Sequence, residues 1–292
     1  MKLIKFIIGL IIAFNASTVL ALPTTDIAIF DLKALLSKDK KTVKPFHLTY
    51  RDGYDNQPKF SKDGQTIYFT RGITANGKSQ TDIMAYDFES KQLTNISNSP
   101  DSSEYSPTPY QDGFLTIIGV ADSNGKQYLN QLAIDSGAQK TFTTAIEPIG
   151  YHAWLNENEA AVFVLGDFMT LQVLHTDANR KPMVLAENIG RSFHRIAENK
   201  VSYTVEEVGK HRIYLLDGNH QSHDTGIVLP EGVQDYVWLN DKEVILGKDS
   251  KLYRKSAKSV SEIVDLSEFG IKGISRLAID NNQLSVVYNR LF

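Results

Sequence analysis

The sequence predicts an all-β fold, a six-bladed β-propeller of four-stranded antiparallel blades. Three observations favour it. A hairpin pattern recurs six times, at spacings of 40 to 49 residues. Two further strand-like segments follow each complete hairpin, and the two ends of the chain together supply the strands of one blade. Four strands in a period of roughly 40–50 residues are typical of a propeller blade.

Residues 1–21 are predicted to be a signal peptide. Two lysines precede an apolar run from Phe6 to Phe14, and small residues lead to a cleavage site after Ala21. This order is typical of an export signal, and the apolar run is shorter than the roughly 20 residues of a membrane-spanning helix. We therefore expect a periplasmic or secreted protein whose mature chain, residues 22–292, is one propeller domain without a transmembrane segment. A retained membrane anchor is the alternative.

The composition excludes some classes of partner. The chain has 31 Lys and Arg against 34 Asp and Glu, and loss of the two signal-peptide lysines lowers its net charge from −3 to −5. A mildly acidic chain without a basic cluster argues against binding to nucleic acid. Hydrophobic residues make up 42% of the sequence, enough for a packed core. Because there is no cysteine, the fold does not depend on a disulfide.

The first hairpin has the clearest signal. It reads N-Q-P-K-F-S-K-D-G and then Q-T-I-Y-F-T, so that Asp63-Gly64 separates two strand-like runs, and this arrangement is typical of a hairpin turn. The same outline recurs in residues 106–118, 152–164, 194–205, 236–246 and 276–287. Aligning the turns places six apolar anchor residues in register: Phe60, Pro109, Trp154, Ile196, Trp238 and Ala278. We expect the two tryptophans to be buried at equivalent positions.

The ends of the chain predict how the ring closes. The last repeat stops after two strands, whereas residues 26–32 match residues 82–88 in character, and Leu48-Thr49 match Leu93-Thr94. We therefore expect residues 26–50 to provide the outer strands of the final blade, which removes exposed sheet edges. The alternative is that Leu32 to Lys38 form a small amphipathic helix outside the ring.

The repeats resemble those of a known family. The segments P-K-F-S-K-D-G-Q-T-I-Y-F and D-I-M-A-Y-D-F-E-S-K-Q-L-T-N resemble the WD40-like repeats of TolB-type β-propellers, which also build the propeller of prolyl oligopeptidase-type enzymes. The resemblance implies six blades and an extracytoplasmic setting. It covers the propeller alone, since too few residues precede the first full blade for the additional N-terminal domain of TolB. A fold does not by itself define a function.

The search for catalytic and metal-binding motifs is mostly negative. The sequence lacks the G-x-S-x-G motif of a nucleophile elbow, and we predict no catalytic residue. His220 and His223 are spaced H-x-x-H, near His211 and Asp224, but this polar segment favours a solvated loop over a closed metal site. We therefore expect neither a bound metal nor a cofactor.

The channel mouth is the candidate binding site. The first strand of each blade lines the channel of a propeller, and residues at equal offsets face one axis. Two residues before the anchors lie Pro58, Pro107, His152, His194, Tyr236 and Arg276. The predicted ligand- or partner-binding residues are Glu104, Tyr105, His152, His194, Asp235, Tyr236 and Arg276. A mixed polar and aromatic ring suits a ligand or peptide, although a water-filled channel without a function is the alternative.

Two side-chain types in this ring predict specific behaviour. Arg276 has a planar guanidinium that can hold a carboxylate through two hydrogen bonds. Because an unperturbed histidine titrates near neutral pH, His152 and His194 predict that binding changes between about pH 5 and 8.

Two functions of different classes remain open. The first is an exported, non-catalytic scaffold, expected to be a monomer, that binds a protein or peptide partner in the bacterial cell envelope. The alternative is a metal-dependent propeller hydrolase, a lactonase or glycan-acting enzyme, with Ca²⁺ in the central channel. The oxygen ligands available to it are Asp55, Asn56, Glu104 and Asp235, and their unequal offsets from the anchors disfavour the enzyme.

Overall fold

Six four-stranded antiparallel sheets make up the computed structural model, which describes residues 22–75, 77–177, 180–280 and 282–290. The predicted six-bladed β-propeller is confirmed. The predicted signal peptide, residues 1–21, lies outside the described residues. Helix is confined in the described chain to Leu32–Leu36 and to two 3₁₀ turns, Lys40–Thr42 and Ser267–Phe269. Among the described residues, no helix is long and apolar enough to cross a membrane.

Blades 1 to 5 each consist of four consecutive strands. The strands of blade 1 are Asp55–Phe60, Thr66–Ala75, Lys78–Asp87 and Leu93–Asn95. The strands of blade 2 are Ser102–Pro109, Phe114–Ala121, Gln127–Ala133 and Gln139–Thr141. The strands of blade 3 are Ile149–Trp154, Glu159–Val164, Thr170–His175 and Met183–Glu187. The strands of blade 4 are His194–Ala197, Lys200–Glu207, Lys210–Asp217 and Ser222–Val228. The strands of blade 5 are Tyr236–Trp238, Val244–Lys248, Lys251–Lys255 and Val260–Asp265.

Blade 6 joins the two ends of the chain, as predicted. Its strands in spatial order are Ile271–Ile279, Gln283–Arg290, Asp26–Asp31 and Phe46–His47. The predicted strand over residues 26–32 ends at Asp31. The side chain of Asp31 accepts a hydrogen bond from Ala34 N (2.6 Å) and caps a short helix, Leu32–Leu36. Ring closure and a helix were predicted as alternatives, and both occur, because the helix lies between the two outer strands.

The predicted alignment of the outer strand is displaced by three residues. Leu48 N donates to Ile27 O as Ile96 N donates to Ile83 O, with 2.9 Å in both cases. Likewise, Ile27 N donates to Thr49 Oγ1 and Ile83 N to Ser97 Oγ (2.9 and 2.8 Å). Leu48-Thr49 therefore correspond to Ile96-Ser97 and not to Leu93-Thr94. A hydroxyl that accepts from the backbone defines this register, and an apolar–threonine pair is too short a pattern to reveal it.

The anchor tryptophans occupy equivalent positions. Trp154 Nε1 donates to Thr116 Oγ1 (3.0 Å) in the preceding blade, and Trp238 Nε1 donates to Ser202 Oγ (2.8 Å) in the blade before its own. The predicted alignment of these two hairpins is thus confirmed. Trp154 is 2% exposed, whereas Trp238 is only half-buried, so the expected burial is only partly met by Trp238.

Bulges interrupt the first strands of several blades. Gln57 and Ser106 both adopt φ of 56°, a left-handed conformation uncommon for residues with a Cβ, where these strands lose register with their neighbours. The Gln57 Oε1 atom accepts from Thr70 Oγ1 and from Ser106 N, at 2.9 Å each, which ties the two bulges together. A bulge changes the direction in which the following side chains point, and here it decides which residues reach the axis.

Candidate functional site at the channel mouth

A small cavity lies where the first strands of the six blades, and the loops that lead into them, converge. Its volume is about 70 Å³. Every blade contributes at least one lining residue, and most of the polar ones bear charge or can hydrogen-bond. The charged and larger polar residues are Gln57, Lys59, Tyr151, His152, Arg191, His194, Asp235 and Arg276. The predicted convergence of first-strand residues on one axis is therefore what the structure shows.

Four of the seven predicted site residues line this cavity: His152, His194, Asp235 and Arg276. Glu104 and Tyr105 do not, because they precede the bulge in blade 2, and the residues after it take their place. The Glu104 side chain is fully buried, and Gln139 Nε2 donates to its Oε1 (3.1 Å) from the outer strand of the same blade. Burial raises the pKa of Glu104. The prediction that Glu104 faces the channel is wrong.

Tyr236 is the third predicted residue that does not line the cavity. It is fully buried, its hydroxyl donates to Ser202 Oγ (2.8 Å), and its ring centroid lies 4.7 Å from that of His194. Burial raises the pKa of its phenol. Because neighbouring side chains of a strand point to opposite faces, Asp235 reaches the cavity in its place.

Asp235 forms an ion pair with two arginines. Its Oδ2 accepts from Arg191 Nε (3.0 Å) and Nη2 (2.6 Å), and Arg276 Nη1 lies 3.6 Å from its Oδ1. Burial alone would raise the pKa of Asp235, but the two positive charges and the hydrogen bonds from Arg191 outweigh it and hold the pKa below its usual range. The charge of Asp235 in turn raises the pKa of Arg191. Asp235 and Arg191 are therefore both ionised at neutral pH.

Arg276 is also held by an aromatic side chain. Its Nη2 donates to the hydroxyl of Tyr151 (2.7 Å), and its guanidinium carbon lies 4.9 Å from the centroid of the same ring. A cation over an aromatic face is attracted by the ring quadrupole. The guanidinium is thus fixed between Tyr151 and Asp235 at the cavity wall.

Sequence reasoning missed two cations of the cavity, Lys59 and Arg191. Lys59 directly follows Pro58, which was in the predicted ring, and the blade 1 bulge brings both to the cavity. Arg191 lies three residues before His194, in the loop that leads into blade 4. A wider window of offsets around each anchor would have included them.

Lys59 differs from the other charged residues of the cavity. Its side chain is half-buried, and among the described residues its ammonium has no hydrogen-bond or ion-pair partner. Burial, assisted by the positive charge of Arg276, lowers the pKa of its ammonium to about 8. Lys59 is therefore mostly protonated at pH 7, in a site whose one carboxylate is already engaged by arginines.

The two channel histidines are neutral at physiological pH. Burial, assisted by the positive charge of Lys59, lowers the pKa of both His152 and His194 to about 3. His152 Nε2 lies 2.7 Å from Thr116 Oγ1, and His194 Nε2 lies 3.0 Å from Ser192 Oγ. The expected change of charge between pH 5 and 8 does not occur at these residues, because both titrate far below that range.

The carboxylates named for a calcium site do not converge. Asp55 Oδ1 accepts from Arg71 Nε (2.8 Å), Glu104 lies within blade 2, and Asp235 is held by Arg191. Across the part of the chain that the structure describes, no group of three or more His, Cys, Asp or Glu side chains is arranged to hold a metal ion.

The H-x-x-H pair is also divided between different partners. His220 Nε2 lies 3.3 Å from Glu159 Oε2 in blade 3, and His223 Nε2 lies 2.8 Å from Asp217 Oδ2. His211 is buried. The segment around His223 belongs to the outer strand of blade 4, so the predicted loop is wrong there.

Comparison with solved structures supports the fold. Putative TolB from Agrobacterium tumefaciens aligns over 92% of this chain and 99% of its own, with a TM-score of 0.66 and 12% identity. Oligogalacturonate lyase in complex with manganese aligns over 84% and 79%, at TM-score 0.54 and 10% identity. A puromycin-hydrolyzing peptidase from Mycobacterium tuberculosis aligns over 76% of this chain and 40% of its own, at TM-score 0.52 and 13% identity.

Comparison of the sequence alone found no relative. No protein-family model matches it, and no curated protein matches it. The chain spans about half the length of TolB from Acinetobacter baumannii, at 17% identity and a TM-score of 0.48. Since all these identities lie below 25%, the likeness concerns architecture, and the chain has the TolB-like six-bladed β-propeller fold.

Proposed function

We propose that this protein is an exported, non-catalytic propeller that binds a protein or peptide partner in the bacterial cell envelope through its channel mouth. The observation that carries the proposal is the charge cluster at the axis, where Lys59, Arg191, Asp235 and Arg276 converge from four blades. Three cations and one carboxylate leave a net charge of +2 there, in a chain whose overall net charge is −3. Burying charge costs free energy, so a cluster of this kind has its best explanation in binding.

The size of the cavity favours a partner over an enclosed substrate. The cavity has a volume of about 70 Å³. Pockets that enclose small molecules are usually about 300–1,000 Å³. The cavity is therefore too small to enclose a sugar ring or lactone as such pockets do, whereas it can receive one side chain protruding from a partner. This comparison favours the scaffold over the lactonase or glycan-acting alternative.

The composition of the wall suits recognition of a protein. Arg276 and Tyr151 form a cation–π pair at the cavity, and buried Phe193 adds apolar surface. Arginine and aromatic residues dominate the few positions that carry most of the binding energy in protein interfaces. The rigid blades hold these side chains in place, so little conformational entropy is lost on binding.

Photo-crosslinking in intact cells tests the site. We expect a photoreactive phenylalanine analogue at Tyr151 to form an adduct with a partner, because its ring lies at the cavity wall. The same analogue at Val260, which is 57% exposed on the outer strand of blade 5, is the control. A partner adduct from position 260 and none from position 151 would place the interaction on the outer strands of the blades and contradict the proposal.

Export has its own test. We expect cell fractionation to find the protein in the periplasm or medium, and sequencing of the mature N-terminus to begin at Leu22. A cytoplasmic protein that retains Met1 would contradict the envelope setting.

A further inference from the structure

We infer that the channel cavity is an anion site centred on Lys59, and that it receives a carboxylate group presented by the binding partner. The inference rests on the proposed function, because a protein or peptide partner carries its negative charge as carboxylates. It adds the chemical group that the partner must insert.

The first support is the pairing of charges within the cavity. Arg191 donates two hydrogen bonds to Asp235 Oδ2, and Arg276 is held by the Tyr151 hydroxyl with Asp235 nearby. Lys59 has no partner among the described residues, although its ammonium can donate three hydrogen bonds. A half-buried cation beside other cations is electrostatically unfavourable, and an incoming anion relieves this repulsion. We therefore expect the Lys59 ammonium to pair with a negatively charged group.

The second support is a hydrogen-bond donor on His152. The indole of Trp154 can only donate, so Thr116 Oγ1 accepts from it and keeps its own proton for another acceptor. At 2.7 Å that acceptor is His152 Nε2, which is closer than the alternative, the Thr108 carbonyl oxygen at 3.4 Å. We therefore assign the proton of neutral His152 to Nδ1, which is buried and has no hydrogen-bond partner in the described part of the chain.

The third support is size. About 70 Å³ accommodates a carboxylate with its adjoining methylene group more readily than a whole amino acid or sugar. The Lys59 ammonium can donate to the carboxylate, and His152, which lines the same cavity, has a buried ring nitrogen without a hydrogen-bond partner among the described residues. Such charge-assisted hydrogen bonds are stronger than those between neutral groups.

Titration of the mature protein with small probes tests the inference. The NMR resonances of the lysine side chains are followed at pH 7 and constant ionic strength. The probes are acetate, the blocked peptide acetyl-Gly-Glu-Gly-amide, and acetyl-Gly-Gly-Gly with a free C-terminal carboxylate. The matched uncharged control is acetyl-Gly-Gln-Gly-amide. We expect the carboxylate probes to shift the Lys59 resonances saturably and the glutamine peptide to leave them unchanged. Tighter binding of the glutamate peptide would indicate that the partner inserts a side-chain carboxylate. Tighter binding of acetyl-Gly-Gly-Gly would indicate that it inserts its C-terminal carboxylate.

Substitution of the lysine gives a second measurement. We expect Lys59→Met to weaken acetate binding at least tenfold, as followed by the resonances of His152, while Lys258→Met on an exposed loop leaves it unchanged. Equal responses to the glutamate and glutamine peptides would overturn the inference, and this comparison needs no variant to fold. Tighter binding of inorganic phosphate than of every carboxylate would also overturn it.

The two proposals fail separately. A partner adduct at position 151 together with no carboxylate binding removes the anion site and leaves the scaffold role intact. Saturable carboxylate binding at Lys59 together with a partner adduct only at position 260 retains the anion site and removes the channel mouth as the partner site.

Discussion

Lys59 is the residue that distinguishes this channel from one that is only structural. Its side chain is half-buried, its pKa is about 8, and Arg276 repels it. In the unfolded chain a lysine has a pKa of about 10.4. Below pH 8 the ammonium is therefore present in both states and is less favourable in the folded one. Between pH 8 and 10.4 the unfolded chain binds more protons, so the free energy of unfolding rises with pH across this window.

Replacing Lys59 should stabilise the protein. We expect Lys59→Met to raise the free energy of unfolding at pH 7 by about 1–3 kcal/mol, after discounting for partial exposure, because the uncompensated charge is removed. Binding residues that are retained at a cost in stability behave in this way. Urea unfolding at pH 7 measures the difference, with Lys258→Met as the exposed control. A loss of stability in Lys59→Met would show that the ammonium has a favourable partner.

His152 predicts sensitivity to acid. Its pKa is about 3 in the folded protein and about 6.5 when unfolded, so stability from this group is present above pH 6.5 and is lost as pH falls toward 3. At pH 4.5 the loss from His152 alone is about 2–3 kcal/mol. We expect urea unfolding at pH 7 and 4.5 to show a smaller decrease in His152→Gln than in the wild type. The control is His223→Gln, whose side chain is 60% exposed. If the free energy of unfolding falls as much in His152→Gln as in the wild type, groups other than His152 cause the sensitivity to acid.

At the scale of the strand and hairpin, the same interaction recurs in two blades. A hydroxyl on one blade accepts from the indole of the next, through Thr116 and Trp154 and again through Ser202 and Trp238. Trp154 is also stacked on Tyr110, with ring centroids 4.3 Å apart. The two hairpins are equivalent in geometry but differ in burial.

This difference predicts unequal effects of truncation. We expect Trp154→Ala to lower the free energy of unfolding by about 3–5 kcal/mol, because the indole is almost wholly buried. Trp238→Ala should cost less, since the side chain is half-buried and less apolar area is lost. Urea melts of the two variants against the wild type provide the measurement. A loss in Trp238→Ala as large as that in Trp154→Ala would contradict the burial found here.

The elements also show how far the sequence could predict the site. Register between hairpins was enough to bring His152, His194 and Arg276 to one axis, whereas Asp235 replaces the in-register Tyr236. Glu104 and Tyr105, chosen at other offsets, do not line the cavity. A bulge follows Tyr105, and it cannot be recognised from residue types alone. Ser106, with φ of 56°, is neither glycine nor asparagine and therefore gives no local signal for that conformation.

At the scale of the whole molecule, stability depends on joining the two ends of the chain. Asp26 opens the third strand of blade 6, and its Oδ2 lies 2.8 Å from Arg290 Nε on the neighbouring strand. Asp26 Oδ1 accepts from Arg51 N (3.0 Å). One buried carboxylate therefore contacts both the strand of Arg290 and the loop that follows the outer strand Phe46–His47. The sequence repeats predicted this closure because the N-terminal and C-terminal parts of blade 6 both have the strand pattern of a complete blade.

Breaking this pair should destabilise the ring. We expect Asp26→Ala to lower the free energy of unfolding by about 3–5 kcal/mol, because it leaves Arg290 beside an emptied buried site. Asp52 also pairs with Arg290 but its side chain is 93% exposed, so Asp52→Ala should cost no more than about 1 kcal/mol. Thermal and urea unfolding compare the two variants. Equal losses would show that closure does not depend on the buried pair.

Quantitative capture of envelope proteins by the mature chain tests most directly whether the channel mouth binds a partner. The comparison uses the wild type, Lys59→Met, Arg276→Gln and the exposed control Lys258→Met, each checked for folding by its melting temperature. We predict at least one protein whose recovery falls tenfold or more with both mouth variants and is unchanged with the control. Recovery of the same proteins in the same amounts by all four would contradict a binding role for the channel.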